Sequence, residues 1–243
     1  MASISMSIPA LASAYRRGVI TPEQVVERCL RASRSAQRHL HAWEKLNAEG
    51  ARQAAKVATQ EMAAGIWRGP LHGVPYGLKD IIHVHGHMTT AGVAGHEIWP
   101  EETADIVCRL QRAGAILLGK TRTAELAAGA TGVNLPIGTP INPHCASVAP
   151  GGSSSGSAVA VAAGSAPLTH TLAPLAHASY TCPACCATCR SALAQGASSC
   201  LQVSPALQSA ATRAARCGFQ PRGAAWLGFV HPSRCGRARR RYG

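Results

Sequence analysis

The sequence is poor in aromatic and charged residues, and it has no acidic residue after Glu125. Of its 243 residues, 4% are aromatic and 14% are charged, while 47% are hydrophobic. The segment 169–243 has nine arginines, no lysine and no carboxylate, although solvated natural surfaces normally mix both signs of charge. The net charge of +13 comes mainly from this segment, so it does not by itself indicate a nucleic-acid-binding protein.

Long apolar runs are absent as well. The longest, residues 158–163, is too short to cross a bilayer. Residues 1–9 lack the basic start and the sustained apolar run of a signal peptide. Arg16 and Arg17, after a serine-rich opening, would also suit a mitochondrial presequence, but an amphipathic first helix is the favoured interpretation. We therefore predict a cytoplasmic protein with no membrane partner.

The cysteines are concentrated near the end, with seven of the ten beyond residue 180. Cys182-x-x-Cys185 beside Cys186-x-x-Cys189 resembles a zinc-binding pattern. The adjacent Cys185 and Cys186 are poorly placed to ligate one tetrahedral ion, however, so we predict no metal site. An arginine cluster from Arg237 to Arg241 could attract nucleic acid, but only non-specifically.

Helix and strand signals alternate between residues 21 and 164. Thr21-Pro22-Glu23-Gln24 has the N-cap, proline and capping box of a helix that should extend to about residue 36. The remaining predictions are helices over 47–64, 104–113 and 157–164, a buried strand over 115–118, a short segment ending at Lys79 and a loop over 131–152. This alternation is typical of an α/β fold with a largely parallel sheet.

Two motifs carry chemistry. Lys79 ends an apolar segment, and burial there would lower its pKa so that the neutral amine can accept a proton. The Gly/Ser-rich turn at residues 151–157 could supply a serine that relays this proton and backbone N–H groups that approach an oxyanion. Together they indicate acyl transfer by a serine hydroxyl without histidine.

Four segments resemble the amidase signature family: residues 69–80, which include His72-Gly73-Val74-Pro75 and Lys79-Asp80, then Thr89-Thr90-Ala91-Gly92, Gly119-Lys120-Thr121 and residues 150–164. The resemblance covers about residues 8–168. It implies an α/β/α sandwich around a mixed sheet, hydrolysis of a carbon–nitrogen bond in a small-molecule amide, and no cofactor.

The resemblance also implies roles for individual residues. Lys79 would be the base, and Ser153 would be the bridging serine, preceded by a cis peptide bond. Ser154 would support the same hydrogen-bond network, and Gly151 and Gly152 would shape the turn.

The sequence departs from the family where the nucleophile should stand. The family places that serine in a Thr-Gly-Gly-Ser motif, and the corresponding slot here is His177, in Ala176-His177-Ala178-Ser179. The nucleophile therefore remains unassigned, since nothing else around Ser179 fits. A shift of reading frame near Leu168 would explain both this departure and the composition of the tail.

We accordingly expect a partial amidase-like domain over 1–168 and a basic, Cys-rich tail over 169–243 that is disordered or non-native. The chain should be truncated and inactive, and its incomplete sheet should promote homo-oligomers or aggregation. The competing hypothesis is a non-enzymatic protein whose tail binds nucleic acid or metal. The resemblance also leaves open a subunit role in tRNA-linked amidation.

Three other patterns are weaker. Gly152-Ser153-Ser154-Ser155-Gly156 matches a nucleophile elbow, which needs a strand directly before it and an acid after it. A phosphate-binding loop would need a lysine where Ser157 stands. His83, His85 and His87 alternate as metal ligands on a strand would, but a polar loop is the favoured interpretation.

Overall fold

The computed structural model describes residues 5–171. Within this range lie five α-helices and four strands: α1 (Ile8–Arg16), α2 (Pro22–Leu40), β1 (Trp43–Leu46), α3 (Ala48–Ala63), β2 (Pro75–Lys79), α4 (Asp105–Arg112), β3 (Ile116–Thr121), α5 (Ser155–Ala162) and β4 (Thr169–His170), with a single 3-10 turn at Glu125–Ala127. His177, Ser179 and the cysteine and arginine clusters of the tail lie outside the described residues.

The strands form one mixed sheet in the order β1-β3-β2-β4. The central strand β2 is parallel to both β3 and β4, and β1 is antiparallel to β3. This arrangement confirms the predicted α/β class with a largely parallel sheet. Strand β4 continues the sheet two residues past Leu168.

The predicted helices are present, with α3 and α4 within one residue of their expected ends and α5 two residues earlier than expected. In α2 the Thr21 hydroxyl accepts from the Gln24 N–H at 3.3 Å, and the Gln24 side chain accepts from the Thr21 N–H at 3.0 Å. This capping box satisfies two backbone donors at the helix start. The helix runs to Leu40, beyond the predicted end, and stops where His41 takes a left-handed conformation.

Each face of the sheet covers its own apolar core. One core joins the sheet to α1, α2, α3 and α5 through residues such as Leu11, Leu30 and Val159. The other core joins Tyr76 and Leu78 of β2 to α4. Helices therefore cover both faces, as the predicted α/β/α sandwich requires.

Alternation along the strands assigns each central side chain to a face. Leu78 and its register partner Lys120 share the face of α4, whereas Lys79 and its partner Thr121 share the face of α5.

Among the described residues, no helix is long and apolar enough to span a membrane.

Candidate active site

Lys79 and Ser153 meet at the end of strand β2. The Lys79 Nζ donates to the Ser153 Oγ across 2.6 Å, although the two residues are 74 positions apart in the chain. Lys79 is fully buried and Ser153 is 6% exposed. The structure thus brings together the two residues that the sequence assigned to a proton relay.

Backbone contacts fix Ser153 opposite the lysine. Its carbonyl accepts from the Thr123 hydroxyl at 2.9 Å and from the Ala124 N–H at 3.0 Å. The N–H of Gly156 donates to the Arg122 carbonyl at 3.0 Å, which ties the start of α5 to the segment after β3. Because β3 pairs with β2, the same contacts place the Gly/Ser turn beside Lys79.

The structure shows why glycine is required at two positions of the turn. Gly151 has φ +80°, a conformation that glycine adopts without steric cost. A Cβ on Gly152 would collide with backbone atoms of Gly129 and Gly132. The peptide bond between Gly152 and Ser153 is cis, as the resemblance implied.

Burial lowers the pKa of Lys79 from 10.5 to about 8. Removal of the ammonium from water disfavours its charged form, so the neutral amine becomes accessible near neutral pH. A neutral amine at hydrogen-bond distance from a hydroxyl can take a proton from it. The Lys79–Ser153 pair can therefore act as a base with a relay.

A buried ion pair lies directly beyond the lysine. Lys120 Nζ donates to Asp80 Oδ1 at 2.7 Å and to the Thr89 hydroxyl at 2.8 Å. The other carboxylate oxygen of Asp80 accepts from the N–H and the hydroxyl of Thr90, at 2.9 and 2.6 Å. Burial lowers the pKa of Lys120, and the Asp80 carboxylate opposes this lowering.

A loop after β3 closes over the same region. The Asn134 Nδ2 donates to the carbonyls of Gly92 and Thr123, at 2.7 and 3.0 Å. Thr121, the last residue of β3, contacts the Ser157 hydroxyl at 2.6 Å. The segments after β2, after β3 and before α5 are therefore joined by polar contacts at one end of the sheet.

Comparison with known proteins identifies the family of this chain. The sequence pattern of the family described as Amidase matches residues 24–171. The chain belongs to the amidase family. Its relatives include AmiB2 of Mycobacterium tuberculosis, named as an amidase, with 40% identity over 151 residues, which is 62% of this chain and 32% of that protein. A glutamyl-tRNA(Gln) amidotransferase component from Acidothermus cellulolyticus is 44% identical over 130 residues, which is 53% of this chain and 26% of the relative.

Solved structures agree with the amidase assignment. The native peptide amidase of Stenotrophomonas maltophilia has a TM-score of 0.62 and 34% identity, over 66% of this chain and 34% of its own. The match to 6-aminohexanoate cyclic dimer hydrolase also has a TM-score of 0.62, with 29% identity, over 70% of this chain and 34% of that one. The chain thus spans about a third of the length of these amidase relatives.

Several site predictions can be compared with this amidase fold. Ser154 Oγ is buried but has no hydrogen-bond partner among the described residues, so the expected support from its side chain is not seen there. Residues 142–151 form no strand, as a nucleophile elbow would need. Within residues 5–171, no three His, Cys, Asp or Glu side chains form a group able to hold a metal, and this applies to His83, His85 and His87.

Sequence reasoning missed the ion pair that lies beside Lys79. Asp80 and Lys120 stood in segments that resembled the family, but neither was given a role. An acid directly after the candidate base, and a lysine at the end of an apolar strand, were the available signals. Both suggest buried partners, because lone charges are rarely buried.

Proposed function

We propose that this chain carries the base and the relay of an amidase site, the type of site that hydrolyses a carbon–nitrogen bond in a small-molecule amide. The observation that carries the proposal is the 2.6 Å contact between Lys79 Nζ and Ser153 Oγ in a buried setting. Membership in the amidase family supports the reaction class. The Ser–Ser–Lys assignment of the individual residues is part of the proposal.

In the proposed reaction, a serine hydroxyl attacks the amide carbonyl carbon while Ser153 accepts its proton and passes its own to Lys79. A covalent acyl ester forms, the carbon–nitrogen bond breaks, and the departing amine receives the proton back through Ser153. Water then attacks the ester, activated by the same pair, and releases the acid. The buried position of Lys79 suits this role because it favours the neutral amine.

No residue between 5 and 171 can be assigned as the attacking serine. The family motif would place it at residue 177, where this sequence has histidine. We propose that the chain therefore performs no amide turnover by this route, since removal of the nucleophile eliminates the covalent step. We further propose a reading-frame shift near Leu168, and sequencing of the gene there checks it: absence of the motif from every alternative frame contradicts the shift.

Amide hydrolysis and lysine titration test the proposal together. Ammonia release from a panel of primary amides would be measured for the wild type, Lys79→Ala and Ser153→Ala. Lys56→Ala and Ser13→Ala serve as controls because both side chains are exposed and lie on α3 and α1. In parallel, an NMR pH titration of ¹³C-lysine-labelled protein between pH 6 and 11, with the Lys79 side-chain signal assigned by its loss in Lys79→Ala, gives the titration midpoint of Lys79 without reagent access to the buried amine.

The outcomes separate cleanly. A Lys79 midpoint near pH 8 with no turnover supports a base and relay without a nucleophile. Turnover that Lys79→Ala and Ser153→Ala abolish, but the controls retain, supports the reaction and overturns the proposed inactivity. A Lys79 midpoint near pH 10, or turnover indifferent to both variants, overturns the assignment of Lys79 and Ser153.

A further inference from the structure

We propose that Lys120 is a positioning residue for the Lys79–Ser153 pair, because it holds and neutralises the Asp80 carboxylate on the opposite face of the sheet. This inference rests on the proposed function, in which Lys79 acts as the base. It assigns a task to a buried ion pair that the reaction itself does not use.

The position of Asp80 explains why its charge must be compensated. Asp80 follows the base directly in sequence and is only 1% exposed. A buried carboxylate near an amine favours the ammonium form, which cannot accept a proton. An uncompensated Asp80 would therefore oppose the role of Lys79.

Strand alternation places the Asp80 carboxylate away from Lys79, and three hydrogen bonds compensate its negative charge. Lys120 is the register partner of Leu78, so it lies on the face opposite Lys79. Its ammonium is 2% exposed and lies 2.7 Å from Asp80 Oδ1, the short distance of a charge-assisted hydrogen bond. Thr90 supplies two donors to Oδ2, so both carboxylate oxygens are engaged.

The same contacts also fix the end of the strand that carries Lys79. The Asp80 N–H donates to the Thr121 carbonyl at 3.0 Å, and the Asp80 carbonyl accepts from the Ala91 N–H at 3.0 Å. With its side chain bound to Lys120 and Thr90, Asp80 is held through backbone and carboxylate together. Lys79, one residue earlier, is thereby held at its contact with Ser153.

Few other charges act on this region among the described residues. Glu44 on β1 accepts from the Arg122 guanidinium at 3.2 Å, which offsets its charge. The pKa of His83 is lowered by burial and by the Lys120 ammonium, which favours the neutral ring. The turn before α5 contributes serines and glycines with no charge. The variants that test the inference therefore change the Asp80–Lys120 pair.

The test measures the titration midpoint of Lys79 by the same NMR titration of ¹³C-lysine-labelled protein, in the full chain. We expect Lys120→Met, which leaves Asp80 uncompensated, to raise the midpoint by about one pH unit. Asp80→Asn leaves Lys120 uncompensated and should lower it by about one unit. The double variant removes both charges and should return the midpoint close to that of the wild type.

The matched control is Lys45→Met, since Lys45 is the exposed lysine opposite Lys120 on β1. It should leave the midpoint unchanged. If Lys120→Met fails to fold, Asp80→Asn and the double variant still give the sign test. Circular dichroism of each variant confirms that the labelled protein is folded.

Opposite shifts that cancel in the double variant support the positioning role. Equal midpoints in all folded variants, with changes only in thermal stability, would reduce the pair to a structural contact and overturn the inference. A wild-type midpoint near pH 10 would instead overturn the proposed function. The two failures are therefore distinguishable in one experiment.

Discussion

Replacement of Lys79 by methionine should stabilise the folded protein at neutral pH. Lys79 is fully buried, and this burial favours a neutral amine. Below the folded-state pKa the protein must either bury an ammonium or fold with the amine deprotonated, and both cost free energy. Methionine has a similar length and no charge, so it avoids this cost.

The magnitude comes from the lowered pKa of Lys79. A change from 10.5 to about 8, at 1.36 kcal/mol per unit, corresponds to about 3 kcal/mol of destabilisation by the lysine. Methionine leaves the buried Ser153 hydroxyl without its lysine partner, which costs about 1 kcal/mol. The expected net effect of Lys79→Met at pH 7 is therefore a gain of about 2 kcal/mol.

The sign of the pH dependence is fixed by proton binding. Between pH 8 and 10.5 the unfolded chain holds a proton on Lys79 that the folded protein has lost, so wild-type stability rises with pH in this window. Below pH 8 the cost of the lysine is fully present, and above pH 10.5 it has disappeared. The advantage of methionine should therefore shrink towards zero as the pH approaches 10.5.

Urea denaturation of both proteins at several pH values between 6 and 10 measures this difference. Groups that titrate in both proteins cancel in the comparison. Lys56→Met provides the control, since this exposed lysine should show no pH-dependent difference. A methionine variant that is less stable at pH 7, or a difference that stays constant with pH, would refute the reasoning about burial.

Two further variants test how the site is assembled, both by urea denaturation. Gly156→Ala should destabilise the protein by about 3 kcal/mol, because the added Cβ would lie 2.7 Å from the Arg122 carbonyl oxygen. Gly164→Ala has open space around it and should cost only about 1 kcal/mol, for its left-handed backbone; equal costs would contradict the close approach of α5. Asn134→Ala should cost about 2 kcal/mol, since two buried carbonyls, including that of Thr123, lose their amide donor. An effect within about 0.5 kcal/mol, as at an ordinary surface position, would show that the loop is not held by Asn134.

The sequence predicted those elements whose signals are local. The capping box at Thr21, the turn glycines and the apolar run of β3 each specify structure within a few residues, and each lies where expected. Strand β1 was missed because Trp43–Leu46 is only four residues long and stands between two helices. It becomes a strand through antiparallel pairing with β3, which is distant in sequence.

The polar end of β3 also could not be predicted from local sequence signals. The apolar run stops at Leu118, but the strand continues to Thr121 and is buried throughout. Lys120 and Thr121 tolerate burial because Asp80 and Ser157 provide partners 40 and 36 residues away in the chain. A sequence pattern shows the polar residue but not its distant partner, so the resemblance to a family was needed to connect Lys79 with Ser153.

The contact between Lys79 and Ser153 does not depend on an attacking serine. Strand pairing fixes the lysine, and Thr123 and Ala124 hold the Ser153 carbonyl from residues within the described sheet and its loops. A base and relay formed in this way can persist in a chain that has lost the third partner. The geometry therefore supports the proposed roles of Lys79 and Ser153 independently of turnover.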